Sequence, residues 1–224
     1  MDSNQFKLIE DELLKQEKEL MMKKIGINLI KNGAIRFGDF KLTSGKKSPY
    51  YIDLRSSLSF PFIFELIINA YVVVILKEME SKKIDKVLGI PTAGVPFATM
   101  IGYKLSIPLI YYRKGVKEHG ITKKVEGVLN EGDHVLIVDD LITTGKSVIE
   151  AAEAIRDSGG IADKLVVLLD REQGGYENLL QNGIKPYFLF KVSDLFRWLN
   201  EANILDSSKY KEIVEYIKSE KGKN

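Results

Sequence analysis

A chain of 224 residues is long enough for one domain with a sizeable core and at most a small appended unit. Its 45% hydrophobic and 29% charged residues are an ordinary globular mixture, and a net charge of +2, from 33 basic and 31 acidic residues, gives no argument for a nucleic-acid partner. The absence of cysteine excludes a disulfide framework, a thiolate nucleophile and a Cys-ligated metal, and two histidines disfavour a histidine-built structural metal site.

Residues 1–24 are charged and helix-prone, with Phe6, Ile9, Leu13 and Leu20 able to line one face. This segment is rich in acids and lacks the apolar core of a secretory signal. A second helix is expected over 21–31, closing at Asn32-Gly33. Residues 35–55 read as two short strands around a turn at Ser44-Gly45, with Tyr50 and Tyr51 following Pro49. Such a hairpin can serve as a hood over a planar substrate, or its tyrosines can simply pack. The stretch 61–80 is an apolar helix with little polar surface, expected in the core or in a subunit interface. Its longest apolar run, near 66–76, is interrupted by Asn69 and too short to span a membrane, so a cytoplasmic protein is expected.

A strand over 86–90, a small-residue loop over 91–96 and a helix over 97–105 make a first strand–loop–helix unit whose backbone amides can approach an anion. A strand over 107–112 then runs into 113–127, which holds Arg113, Lys114, Lys117, His119, Lys123 and Lys124 among glycines and has no apolar period. That composition predicts a mobile excursion able to close over a polyanion and exclude water, or else a solvated basic turn.

The most informative stretch is 134–147. Residues 135–139 read as a strand buried on both faces of a parallel sheet; Asp139 and Asp140 follow, then a hydroxyl-rich turn ending at Gly145. From Ser147 the spacing of Val148, Ala151, Ala152 and Ile155 is helical, stopping at Ser158-Gly159-Gly160. Unpaired amides and the dipole at that helix start favour a phosphate. A triphosphate P-loop would need a glycine where Asp140 stands. Adjacent carboxylates accept hydrogen bonds from a sugar diol instead, so the loop suits a ribose 5-phosphate; an ordinary strand-to-helix turn is the plainer alternative. A further strand over 164–170 delivers Arg171 to the carboxyl end of the sheet, where a guanidinium can match a carboxylate or form a plain salt bridge. A last strand over 183–191 and helices over 192–200 and 208–219 complete the chain, with Trp198 read as a packing residue.

The run from Val135 to Gly145 resembles the phosphoribosyl pyrophosphate (PRPP) loop of the type I phosphoribosyltransferases. Residues 42–55 are similar to the hood segment of the orotate phosphoribosyltransferases, and Arg113-Lys114, Lys117 and His119-Gly120 resemble their catalytic loop. The resemblance covers about residues 25–205. It implies an α/β fold of the type I phosphoribosyltransferase kind: a central, mostly parallel sheet flanked by helices, with a small N-terminal hood. The chain would divide into an extension over 1–24, a helix and hood over 25–60, and a core over 61–224.

The implied activity is transfer of phosphoribosyl from PRPP to orotate, giving orotidine 5′-monophosphate and pyrophosphate in pyrimidine biosynthesis, with Mg²⁺ carried on the diphosphate. By the same resemblance Arg113, Lys114, Lys117 and His119 would contact pyrophosphate, and Asp139 and Asp140 the ribose hydroxyls. Leu141, Ile142, Thr143, Thr144, Gly145, Lys146 and Ser147 would contact PRPP, with Thr143, Thr144, Gly145 and Ser147 on its 5′-phosphate; Thr143, Arg171 and the pair Tyr50 and Tyr51, or Tyr51 and Ile52 in the adjacent register, would contact orotate. Lys117, His119, Asp139 and Asp140 are the expected catalytic residues. A homodimer that shares the catalytic loop between subunits is implied, with neither nucleic acid nor membrane as partner. One departure is Thr43, which stands where many members carry a lysine that reaches the substrates; Lys46 or Lys47 could supply that charge. Two other readings compete: transfer to a purine or another base, disfavoured by Arg171, the tyrosine pair and the basic loop; and a nucleotide-sensing regulator on this fold, disfavoured by the short, acidic N-terminus.

Overall fold

Runs of β-branched residues alternating with helical periods build a parallel sheet covered on both faces. The computed structural model describes residues 3–41, 45, 47–79, 83–113 and 124–221. The sheet strands are β3 (Lys86–Gly89), β4 (Leu109–Tyr112), β5 (Val125–Glu126), β6 (His134–Val138), β7 (Leu141–Ile142), β8 (Ile161–Asp170) and β9 (Lys185–Lys191). Their order is β5-β4-β3-β6-β8-β7, with β9 on β8, and every pairing is parallel except β4 with β5. Ahead of the sheet, β1 (Ile35–Lys41) and β2 (Lys47–Ile52) form the expected antiparallel hairpin.

Period-two alternation sorts the core into two layers. Val87, Leu136 and Val138 face one side with α2 (Pro61–Glu78), α3 (Gly94–Leu105), α6 (Val192–Glu201) and α7 (Ser207–Lys221). Leu88, Val135 and Ile137 face the other, with α4 (Lys146–Asp157) and α5 (Gly175–Gln181). The hairpin is fastened to the first layer by rings: Phe196 packs against Tyr50 at 4.8 Å and Phe37 at 5.8 Å, and Tyr216 against Tyr50 at 5.7 Å.

The expectations for the N-terminal helices need correction. A single helix, α1, runs over Ser3–Lys31, with no break near residue 21. Ile9, Leu13 and Leu20 of the expected apolar face are exposed. The face toward α2 and β9 instead carries Leu14, Lys18, Met22, Ile25 and Leu29, which recur at helical spacing on another side. Nor is α2 buried all round. Ile67, Ile68, Tyr71 and Val74 are buried while Phe62 and Leu76 face outward, because a helix laid on one face of a sheet covers one stripe only.

Not anticipated were β5, inside the stretch read as an excursion, the short β7, inside what reads as a loop, α5 after Gly174, and a 3-10 turn over Leu54–Ser59. The expected excursion after β4 is closed at its base, since the Arg113 amide donates to the Lys124 carbonyl at 2.8 Å and β5 pairs back on β4. Lys114, Lys117 and His119 lie outside the described residues, as do Thr43 and Lys46.

Phe196 is fully buried between hood and core. Phe196→Ala is expected to cost about 3–5 kcal/mol in urea unfolding, the usual toll of deleting a buried ring. A loss below about 1 kcal/mol would mean the hood does not depend on this contact.

Candidate active site

The carboxyl ends of β3, β6 and β8 meet at one mouth, where open parallel sheets place their ligands. At the end of β6 the chain turns sharply onto itself: the Asp140 amide donates to Asp139 Oδ1 at 3.0 Å, and the Leu141 amide to Asp140 Oδ1 at 2.9 Å. These bonds hold both carboxylates beside the turn. The loop after β3 is pressed against this point so closely that a Cβ on Gly94 would strike the Val138 carbonyl and come within 3.1 Å of Asp139 Cα.

From β7 the chain passes through Thr143 and Thr144 to Gly145, whose φ of 79° favours glycine and whose Cβ would meet Leu179 at 2.9 Å. The amides of Val148 and Ile149 turn back to the Gly145 carbonyl at 3.0 Å, so those of Thr144, Gly145 and Lys146 precede the first intrahelical bond. Asn178 of α5 donates to the Thr144 carbonyl at 2.8 Å, and a Cβ on Gly175 would strike the Thr143 carbonyl. α5 is thus the floor of the turn. A small cleft of about 90 Å³ is lined by Asp139 and by the turn and helix start over residues 141–148.

Arg171 follows β8, its amide bonded to the Ile142 carbonyl at 3.0 Å. Its guanidinium lies over the Tyr50 ring at 5.2 Å and is 9% exposed, yet Nε and Nη2 have no hydrogen-bond partner among the described residues. The neighbours are firmly held. Asp170 Oδ1 accepts the Glu172 amide at 2.8 Å; the Glu172 carboxylate accepts the Ser193 amide at 3.0 Å and Lys221 Nζ at 2.7 Å. Burial alone would raise the Glu172 pKa, but Lys221 and Ser193 more than offset it and the carboxyl stays below its ordinary range. Burial pushes the Asp170 carboxyl up, and likewise the Tyr50 phenol, against the Arg171 charge.

At the foot of the hood, Arg55 forms a two-pronged pair with Asp53, Nε to Oδ1 at 2.7 Å and Nη2 to Oδ2 at 2.9 Å. That pairing raises the Arg55 pKa and lowers that of Asp53. Burial pushes the Asp140 carboxyl above its ordinary value, against the Leu141 amide and the Arg55 charge.

The structure therefore brings Asp139, Asp140, the turn of residues 141–147 and Arg171 to one mouth. Arg113 stands just after β4, 3.5 Å from Glu126 of β5. The two tyrosines diverge: Tyr50 is fully buried under Arg171, whereas Tyr51 is half-buried, stacked with Phe40 and beneath Arg36. Lys47 is exposed at the hairpin turn. Sequence reasoning missed Arg55, Asn178 and Tyr71. Asn178 could have been found from the helical spacing of Tyr176, Leu179 and Leu180 after Gly174-Gly175; Tyr71 sits in an apolar helix that gave no hint of a polar task.

Residues 63–201 match the family described as "Phosphoribosyl transferase domain". The orotate phosphoribosyltransferase of Pyrobaculum islandicum is 39% identical over 186 residues, covering 83% of this chain and 93% of the relative. The crystal structure of orotate phosphoribosyltransferase from Aeropyrum pernix superposes with a TM-score of 0.72 at 32% identity, over 79% of this chain and 98% of that one. The structure of Leishmania donovani UMP synthase gives 0.77 at 32% identity over 88% of this chain, which spans only 42% of that larger protein. With the mostly parallel sheet found, and the turn after β6 and the arginine after β8 in the places the motifs led one to expect, the chain belongs to the orotate phosphoribosyltransferase family, on the type I phosphoribosyltransferase fold.

Proposed function

We propose that this chain transfers the 5-phosphoribosyl group of PRPP to orotate, yielding orotidine 5′-monophosphate and pyrophosphate. The observation that carries the reading is the Arg171 guanidinium, buried beside the turn with Nε and Nη2 unpaired. A planar carboxylate completes that edge with two parallel hydrogen bonds. Orotate carries such a group; adenine, guanine, hypoxanthine and uracil do not.

Asp139 and Asp140 would accept from the ribose hydroxyls and favour positive charge as the C1–O bond breaks, its electron pair leaving with pyrophosphate. A ring nitrogen of orotate, giving up its proton, forms the new bond to C1. The Thr144 to Ser147 turn would fix the 5′-phosphate at the start of α4. Mg²⁺ belongs to the proposal as part of the diphosphate substrate, where it neutralises charge on the leaving group; oxygen-only donors such as Asp139 and Asp140 suit a hard cation of this kind. Arg113, Lys114, Lys117 and His119 would close over the same diphosphate.

A homodimer is part of the reading. Phe62 and Leu76 on α2, Tyr103 on α3 and Leu109 and Tyr111 on β4 are exposed on adjoining elements, the kind of apolar surface a second subunit covers. No described helix is long and apolar enough to cross a membrane. A cytoplasmic location is part of the same reading, since the enzyme must share a compartment with a substrate too charged to cross hydrocarbon unaided.

Loss of orotate absorbance with PRPP and Mg²⁺ tests the proposal, with the four other bases as controls. Turnover of orotate alone is expected. Arg171→Ala should raise the orotate KM about 10- to 100-fold, the worth of a charged hydrogen bond, with the PRPP KM nearly unchanged. A Lys117→Ala/His119→Ala double variant should lose mainly kcat, by at least about 100-fold. Turnover of a purine, or an unchanged orotate KM in Arg171→Ala, would overturn the assignment.

Asp140 gives a second prediction. Its folded pKa is raised, so the folded state binds its proton more readily than the unfolded one, and its contribution to stability falls as pH rises above the ordinary value of 3.8. Asp140→Asn should therefore melt higher than the parent at about pH 8, with the gain vanishing near about pH 3. The same variant should lose about 10- to 100-fold in kcat/KM for PRPP. Equal or lower stability at alkaline pH would contradict the burial argument.

A further inference from the structure

Between Val138 and Leu141 the central sheet is interrupted without losing its register. Val138 faces Val166 and Leu141 faces Leu169, the same offset, so β6 and β7 are one strand with a gap at Asp139–Asp140. A regular parallel ladder continuing from the Asp139 amide, which donates to the Val166 carbonyl at 3.2 Å, would next bond the Leu168 amide to the Asp139 carbonyl. That bond is replaced. The Tyr71 hydroxyl, reaching in from α2, donates to the Asp139 carbonyl at 2.7 Å and accepts from the Leu168 amide at 3.1 Å, while Leu168 also reaches the Asp140 carbonyl at 3.1 Å.

One phenol oxygen thus stands in for a ladder hydrogen bond and satisfies both backbone groups that its insertion separates. Tyr71 is 1% exposed and packs its ring against Phe97 at 5.7 Å, so its hydroxyl is aimed by the core. Burial, and after it the charges of Asp140 and Asp139, hold the phenol well above its ordinary pKa, so it remains a proton donor throughout the working range.

We propose that Tyr71 is a positioning residue for phosphoribosyl transfer: its hydroxyl wedges β6 apart from β8 at Asp139, and that separation turns the Asp139 and Asp140 carboxylates toward the ribose site. The inference rests on the phosphoribosyl-transfer reading for its substrate. Without the hydroxyl, the Asp139 carbonyl loses its donor and the Leu168 amide, held only by the Asp140 carbonyl, can move across to pair with it directly; the strand then closes, and the peptide that orients both carboxylates rotates with it.

The test compares the parent chain, Tyr71→Phe and Ile75→Val, a conservative change of a buried residue one turn along α2 and away from the mouth. Steady-state kinetics with PRPP and orotate are read beside PRPP-induced shifts in melting temperature. Tyr71→Phe should raise the PRPP KM about tenfold and lower kcat, shrink the PRPP-induced shift, and leave the orotate KM within about twofold. Ile75→Val should lower the melting temperature and leave both KM values unchanged. PRPP KM, kcat and PRPP-induced shift all at parental values in Tyr71→Phe would overturn the inference, as would a matching KM change in Ile75→Val. A parent chain that binds PRPP but does not turn over orotate would sink the assignment of the base; the PRPP-induced shifts would then still decide the role of Tyr71, including for a Tyr71→Phe protein of low stability.

Discussion

Leaving two nitrogens of a buried guanidinium without hydrogen-bond partners is costly for a folded chain, and the mouth of this sheet is built around Arg171, whose Nε and Nη2 are in that state among the described residues. Arg171 is kept in place from several directions. Its amide is tied to Ile142 and its face lies on Tyr50, and the next residue, Glu172, is anchored by Ser193 and Lys221. The C-terminal helices α6 and α7 therefore do more than cover the sheet. Through Glu172 they hold the strand end from which the unpaired charge points. The hood contributes from the opposite side, since Tyr50 is wedged between Phe196, Tyr216 and that same arginine.

The second polar centre is held by a comparable economy of means. Asp139 and Asp140 bond back to their own turn, and the turn is underpinned by Asn178 and by two glycines that permit close approach. Burial keeps the Asp140 carboxyl in an environment that resists its ionised form, which lowers its contribution to stability above its ordinary pKa. Arg55, fixed by Asp53 at the end of the hood, offsets part of that loss. The hairpin, the turn after β7 and the arginine after β8 thus form one mechanical unit, although they are far apart in sequence.

How much of this was legible beforehand followed from the range of the interactions. The strand, turn and helix around Asp139 are local, so hydrophobic period and glycine placement were enough to read them, and the strand-end rule was enough to put Arg171 at the mouth. The fate of Tyr50 was not legible, because its burial depends on Phe196 and Tyr216, well over a hundred residues away. α1 was divided in error, although neither proline nor glycine stands near residue 21 to end a helix there. α5 spans only seven residues, so its helical spacing of Tyr176, Leu179 and Leu180 is a signal of barely two turns and was passed over. Tyr71 is the deepest case: only the geometry of the gap between β6 and β8 shows what its hydroxyl does.

The most direct test of the account is a crystal structure of this chain with orotidine 5′-monophosphate bound. The account predicts the orotate carboxylate within hydrogen-bonding distance of Arg171 Nε and Nη2, and the 5′-phosphate on the Thr144–Ser147 turn. A carboxylate held elsewhere, with the Arg171 guanidinium still unpaired, would contradict it.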